Sequence, residues 1–491
     1  MLLTLPAYQL AQLVRTGQVT SEELVQAALD RIEQQNPKLN AVIHLRSTAA
    51  LKEARQLKDS GQPFLGVPIL IKGLGQQLAG EPDTNGNKLF KNNIAKESSN
   101  FVKALQQAGF IIIGQTNFPE FGFKNVTDDQ LFGSARNPWD GQYTPGGSSG
   151  GSAVAVADGW VPLAAGNDGG GSIRIPASWT GLIGLKPTRG RVPTGPDSWR
   201  SWQGASINFA LTRTVKDTAM LLDQLQTVQQ SAVFQTPLYR PGFVDALQTP
   251  LPKMTIGYTT KSPVGTPVSD EAKQAVMDAV KFLRHQGFKV QKMYDPVDGI
   301  KLMRSYYLMN GAETAAMFQN VQKAMDHPIT RNDMELYTWA LWQMGKNIKA
   351  ADYSQALSSW DQASAQHAAM HEFYPLFLTP TTAQPAPRVN DPDRVEYIEQ
   401  MKHINELTAG EQRQLIYDQC LPGLAQAPFT EQANMTGEPA ISLPTAMSSQ
   451  GTPMGIQFIA AKGNEALLLQ MAKLFEDQRR FKLLNPVPNV D

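Results

Sequence analysis

A chain of 491 residues with 44 basic and 44 acidic side chains has no net field to recruit a polyanion, which argues against a nucleic-acid partner. Apolar residues make up 42% and charged residues 18%, enough for a large core, yet no window approaches eighteen uninterrupted apolar residues, so no membrane span is expected. The single Cys420 excludes an internal disulfide framework and a cysteine zinc site, and Met1–Pro6 lacks the marks of an export signal; a cytoplasmic chain without a bound metal is expected.

Residues 7 to 35 read as helices, with Thr20 and Glu23 forming a capping box before Leu24, Ala27, Ala28 and Ile32 at helical spacing. Another helix is expected over 43 to 60. Val67 to Lys72 is a short apolar strand introduced by Gly66 and stopped by Gly73. Lys72, following Ile69, Leu70 and Ile71, either faces solvent at a strand end or is buried at a cost that demands partners. A helix from Ser99 to Gly109 then leads into Phe110 to Ile113, an apolar strand of the kind buried on both faces in parallel sheets, and this sets a βαβ rhythm.

The most unusual stretch runs from Gly146 to Arg174, two glycine–serine clusters separated by a small-residue segment with a helix expected over Ser152 to Gly159. Each cluster lets the backbone approach a ligand closely and aim successive N–H groups one way. A flexible linker would lack the Ala153-Val154-Ala155-Val156 run, and a phosphate loop would need a lysine after its glycines. A nucleophile elbow fits Gly146-x-Ser148-x-Gly150 but needs a strand before it, where Asn137 to Pro145 has turn chemistry. Ser148 and Ser172 are too far apart for one loop, so a site built from two loops is expected.

Beyond it, Leu182 to Leu185 is apolar and Arg213 to Leu225 helical, and the prolines of 226 to 253 mark a connector. Met254 to Tyr258 and Phe288 to Met293 read as strands around a helix from Ser269 to Gln286, resuming the parallel pattern. Residues 300 to 375 are mostly helical and carry Met303, Tyr306, Tyr307, Met309, Met317, Met334, Trp339, Trp342, Met344 and Trp360, which suit helix packing or an adaptable apolar pocket. Phe377 to Thr379 is a strand, Asn434 to Ser442 a turn into a strand, and Gly463 to Gln478 a final helix.

Six histidines, at 44, 285, 327, 367, 371 and 403, are scattered away from the glycine-rich loops, so they are read as structural and Cys420 as packing. A serine nucleophile then needs another base. A lysine has an ordinary pKa of about 10.4, and neutralising it at pH 7 costs roughly 4 to 5 kcal/mol unless burial helps.

GVPILIK at 66 to 72, GGSSGGS at 146 to 152 and GNDGGGSIRIPA at 166 to 177 resemble the amidase signature family, as do NPW at 137, GLKPTRGR at 184, TRTVKD at 212, LTPTT at 378 and NMTGEPAISLP at 434. The resemblance covers nearly the whole chain. It implies one α/β domain over 1–491, a large twisted mixed sheet of about ten strands sandwiched between helices, with the signature core near 66–225 and a variable, substrate-facing helical region near 300–375. It implies hydrolysis of a linear or cyclic carboxylic amide without a cofactor, acting on a small molecule, with room for a homodimer. Ser172 would be the acyl-accepting nucleophile, Ser148 a bridging serine on a cis peptide, and Lys72 the base. Gly169, Gly170 and Gly171, with Ser172, would supply the oxyanion hole, and Asp168 with Arg174 would fix the loop.

Gly73 stands where the family commonly has aspartate and Asn167 where it commonly has threonine, both expected to lie off the triad. The family's amidotransferase subunits form an alternative, a glutaminase acting with partners. Their glutamine anchors, an arginine after the GRV segment and an aspartate in an SLD segment, are replaced by Pro193-Thr194-Gly195 and Asn208. NPW, GND and GRVPTGP point instead to bacterial hydrolases of the 6-aminohexanoate cyclic dimer type.

Overall fold

The computed structural model describes residues 2–391 and 396–487; Met1, part of the N-terminal segment read above, lies outside the described residues. Helices α1 (Ala7–Arg15) and α2 (Ser21–Leu39) fill the first helical segment. The capping box forms in both directions, with Glu23 N donating to Thr20 Oγ1 at 3.1 Å and Thr20 N to Glu23 Oε2 at 2.7 Å. The helix expected over 43 to 60 is split. β1 (Val42–Leu45) pairs antiparallel with β3 (Ile111–Thr116), and only then does α3 (Ser47–Gln56) begin. β2 (Pro68–Lys72) and α4 (Asn100–Gln107) form as expected, and a small ribbon of β4 (Asp128–Asp129) and β5 (Gly133–Ser134) follows β3.

In the glycine–serine region α5 (Gly150–Ala157) starts two residues before Ser152. It is followed by β6 (Leu163–Asp168), α6 (Arg174–Thr180), β7 (Ile183–Lys186), β8 (Ile207–Thr212) and α7 (Val215–Leu225). LAAGND has no strand propensity of its own; it becomes β6 because it is paired on both sides, by β2 and β8. The connector holds only the short α8 (Phe243–Ala246) before β9 (Thr255–Tyr258), α9 (Asp270–His285) and β10 (Lys289–Lys292). α10 (Gly299–Ala324), α11 (Leu336–Gly345) and α12 (Ala350–Phe373) make up the helical region, and β11 (Leu376–Pro380), α13 (Ile398–Lys402) and α14 (Ala409–Gln426) come next. The expected turn at Asn434 is instead the end of α15 (Glu431–Thr436), which stops at Gly437 in the left-handed region before β12 (Ala440–Met447). β13 (Pro453–Ala460) and α16 (Glu465–Asp477) close the fold.

Among the described residues eleven strands form one mixed sheet in the order β1-β3-β2-β6-β8-β7-β12-β13-β11-β9-β10. The parallel rhythm holds in the two wings, β3-β2-β6 and β11-β9-β10, whereas the centre from β8 to β13 is antiparallel. Helices flank the sheet, and one continuous apolar core runs from Leu3 to Phe475 along it. Among the described residues no helix is long and apolar enough to cross a membrane.

Candidate active site

Parallel strands β2 and β6 are neighbours, so their C-terminal ends bring Lys72 beside Asn167 and Asp168, the position where open α/β sheets bind ligands. Lys72 is fully buried, which excludes the solvent-facing reading. Its Nζ lies 2.6 Å from Ser148 Oγ and 2.6 Å from Asn167 Oδ1. Burial holds the Lys72 ammonium well below its ordinary pKa, against the opposing pull of the Asp168 carboxylate. Asn167 therefore touches the lysine directly, contrary to the expectation that it lies off the triad. Its Nδ2 donates to Leu74 O at 2.8 Å, which fixes the amide so that Oδ1 faces Nζ. Gly73 is away from Lys72 Nζ's partners, and a Cβ there would lie 2.5 Å from Phe118 Cε1, so aspartate has no room without moving that ring.

Gln76, which no motif in the sequence marks, braces this corner. Lys72 N donates to Gln76 Oε1 at 2.7 Å, and Gln76 Nε2 donates to Gly166 O at 2.8 Å, tying the turn after β2 to β6. The Gly147–Ser148 peptide is cis, and the next residue joins the two glycine–serine loops: Ser149 N donates to Ser172 O at 3.1 Å. Behind it, a Cβ on Gly151 would overlap Ala41 O and Asn117 N, so the helix can sit this close to the neighbouring backbone only with glycine there.

Asp168 and Arg174 form a fully buried pair, with Nε 2.9 Å from Oδ2 and Nη2 2.8 Å from Oδ1. Burial alone would raise the Asp168 carboxyl, but the Arg174 guanidinium and the hydrogen bonds from Arg174 and Asn434 outweigh it and hold it below the usual carboxylate range. The remaining Arg174 donors reach Thr430 O at 2.7 Å, Gln457 Oε1 at 2.7 Å and Asn434 Oδ1 at 2.6 Å. The same carboxylate also accepts from Gly171 N at 2.8 Å and Ile173 N at 3.2 Å.

The Gly171 contact corrects one expectation: its N–H is donated to Asp168, which does not line the cavity, so it is not free for an oxyanion. Gly171 has φ +123°, and a Cβ there would overlap Thr430 Oγ1, so its role is to let the loop turn against α15. Gly169, Gly170 and Ser172 line the cavity. Their peptide planes are held from behind, since Tyr306 Oη donates to Gly169 O at 2.8 Å and Thr430 Oγ1 to Gly170 O at 2.8 Å.

Ser148 and Ser172 open into one cavity of about 1050 Å³. Phe121, Phe123, Trp202, Tyr306, Tyr307 and Tyr337 form much of its wall. Of the aromatic and methionine side chains singled out in 300 to 375, Tyr306, Tyr307 and Met317 face this cavity, and Met303, Met309 and Trp360 pack between helices. Trp202 sits on three successive residues with positive φ, Ser201 to Gln203, and its Nε1 donates to Asn310 Oδ1. Cys420 packs as expected among α11 and α13 but also borders the cavity; it lies 3.2 Å from Tyr337 Oη, and burial pushes its thiol up to about 12. Among the described residues no histidine lines this cavity. His367, instead, bonds to Glu438 at 2.7 Å in a buried cluster with His371 and Asp295.

The Amidase family model matches residues 23–469 of the chain. The chain is 48% identical over 479 residues to a lipoamidase of Enterococcus faecalis, an alignment that takes in 96% of the chain and 63% of that longer protein. It is 32% identical over 504 residues to the 6-aminohexanoate-cyclic-dimer hydrolase of a Pseudomonas species, covering 97% of the chain and 96% of the relative. A solved structure of 6-aminohexanoate cyclic dimer hydrolase complexed with substrate superposes with a TM-score of 0.87 at 30% identity, over 99% of both chains.

Proposed function

The chain belongs to the amidase signature family of hydrolases acting on carbon–nitrogen bonds, and from that premise we propose that it cleaves carboxylic amides through an acyl-Ser172 intermediate, with Ser148 and Lys72 as proton carriers. The observation that carries this reading is the buried Lys72 Nζ 2.6 Å from Ser148 Oγ. A neutral lysine there accepts a proton from Ser148 as Ser148 takes one from Ser172, and the Ser172 oxygen attacks the amide carbon. The amine leaves with the proton returned through Ser148, and water repeats the sequence to release the acid. The Gly169, Gly170 and Ser172 N–H groups would hold the oxyanion, where removing one donor typically costs about 100- to 1,000-fold in rate. Residues 1–491 are taken as one domain, because a single sheet collects strands from Val42 to Ala460.

A fluorophosphonate should label Ser172 alone, since it follows the glycine turn where the oxyanion would sit. Peptide mass mapping reads this directly. Label on Ser148 would favour the elbow arrangement and defeat the assignment.

The aromatic wall supports substrates with apolar acyl groups. Hexanamide has four more methylenes than acetamide, and at about 0.8 kcal/mol each their full burial corresponds to about 200-fold in kcat/KM. Equal kcat/KM for the two would defeat this part. Lipoamide, the substrate class named by the Enterococcus faecalis relative, belongs in the same panel.

A further inference from the structure

Glu431 opens α15 at the cavity wall, only 9% exposed, and stands against the glycine loop: a Cβ on Gly170 would lie 3.5 Å from Glu431 Cγ. Its neighbour Thr430 has one hydroxyl proton and three oxygens within reach, Gly170 O at 2.8 Å, Glu431 Oε2 at 3.3 Å and Ala427 O at 3.4 Å. The shortest contact takes the proton. Glu431 Oε2 then faces a hydroxyl lone pair, and a proton on Glu431 turns that contact into a second hydrogen bond, donated to Thr430 Oγ1.

We infer that Glu431 is a positioning residue whose neutral carboxyl completes a relay, Glu431 to Thr430 to the Gly170 carbonyl, that holds the glycine loop beside Ser172 in its working shape. Losing the Glu431 proton to solvent draws the Thr430 hydroxyl proton to the carboxylate. The Gly170 oxygen is left 2.8 Å from a hydroxyl lone pair, and the loop must shift. The inference rests on the reading of Ser172 as nucleophile.

The surroundings agree with a neutral acid. Burial pushes the Glu431 carboxyl up to about 8, outweighing its own backbone N–H, Arg174 on α6 and the Thr430 hydroxyl, which pull it down, while Asp168 at the end of β6 pushes it further up. Tyr306 and Tyr307 on α10 face it as neutral phenols, raised by their own burial, and across the cavity Cys420 on α14 stays a thiol. The α12 histidines His367 and His371 are engaged by Glu438 instead.

The purified enzyme should lose kcat/KM for an amide by about 10- to 30-fold between roughly pH 7.5 and 9.5, while near-UV circular dichroism stays constant. In Glu431→Gln the side-chain amide donates to Thr430 Oγ1 at every pH, so the alkaline fall should vanish. Infrared difference spectra should show a protonated-carboxyl band at neutral pH that is lost at alkaline pH and absent from Glu431→Gln. A flat wild-type profile, an unchanged fall in Glu431→Gln, or no carboxyl band assignable to Glu431 overturns the inference. The infrared readout needs no turnover, so a chain inactive on every amide but carrying the band would strike the acyl-serine reading alone.

Discussion

Lys72→Ala should lower amide hydrolysis by at least about 100- to 10,000-fold, the range that general-base catalysis supplies. The side chain removed is the one whose Nζ sits 2.6 Å from both Ser148 Oγ and Asn167 Oδ1, with no histidine among the described residues of the cavity wall to replace it. Ester hydrolysis should fall less, because an alkoxide leaves with little help whereas an amine must be given the proton taken from Ser172. The pH profile adds a sign. Burial favours the neutral amine, so kcat/KM should rise with pH as Lys72 loses its proton, with an apparent pKa well below about 10.4. That acid limb should be missing from Lys72→Ala. Near-normal amidase activity in the variant, or an indispensable histidine, would remove the serine–serine–lysine mechanism.

Asp168→Ala should destabilise the fold by about 3–5 kcal/mol, read as a lower urea midpoint with an unchanged m-value. The loss comes chiefly from stranding Arg174, which is fully buried and keeps only neutral acceptors once the carboxylate is gone. Because the native Asp168 pKa is depressed, its contribution is complete above the unfolded value near 3.9 and fades only as pH falls through the native value. The difference between wild type and variant should therefore be level across the neutral range. A loss under about 1 kcal/mol would show that the pair shapes the loop without holding the fold.

The parts of the site that were legible in the sequence are those whose chemistry is local. Two glycine–serine clusters and a lysine closing an apolar strand announce themselves by composition, and the family resemblance assigns them roles. β6 was hidden because Leu163 to Asp168 is strand only by virtue of its neighbours β2 and β8. Nothing in a sequence tells that the Asn167 amide, pinned to Leu74 O, meets a lysine 95 positions away. As a sequence the glycine loop offers four equivalent N–H groups, and only the geometry shows that Asp168 claims the one on Gly171. Thr430 and Glu431 belong to α15 and its cap, a helix of six residues, too short to show a periodicity of its own.

The guanidinium of Arg174 has a consequence for how this enzyme is made. Its contacts reach 256 positions ahead to Thr430, 260 to Asn434 and 283 to Gln457, and all five of its N–H groups are committed. A ribosome that has delivered the entire glycine–serine stretch, Asp168 included, has still not delivered the other three acceptors that shape it. Such distant closures are formed late and slowly. Until Gln457 emerges, the growing chain carries both serines and the lysine but has no finished glycine loop, so the proposed reactive centre stays unassembled throughout most of its synthesis.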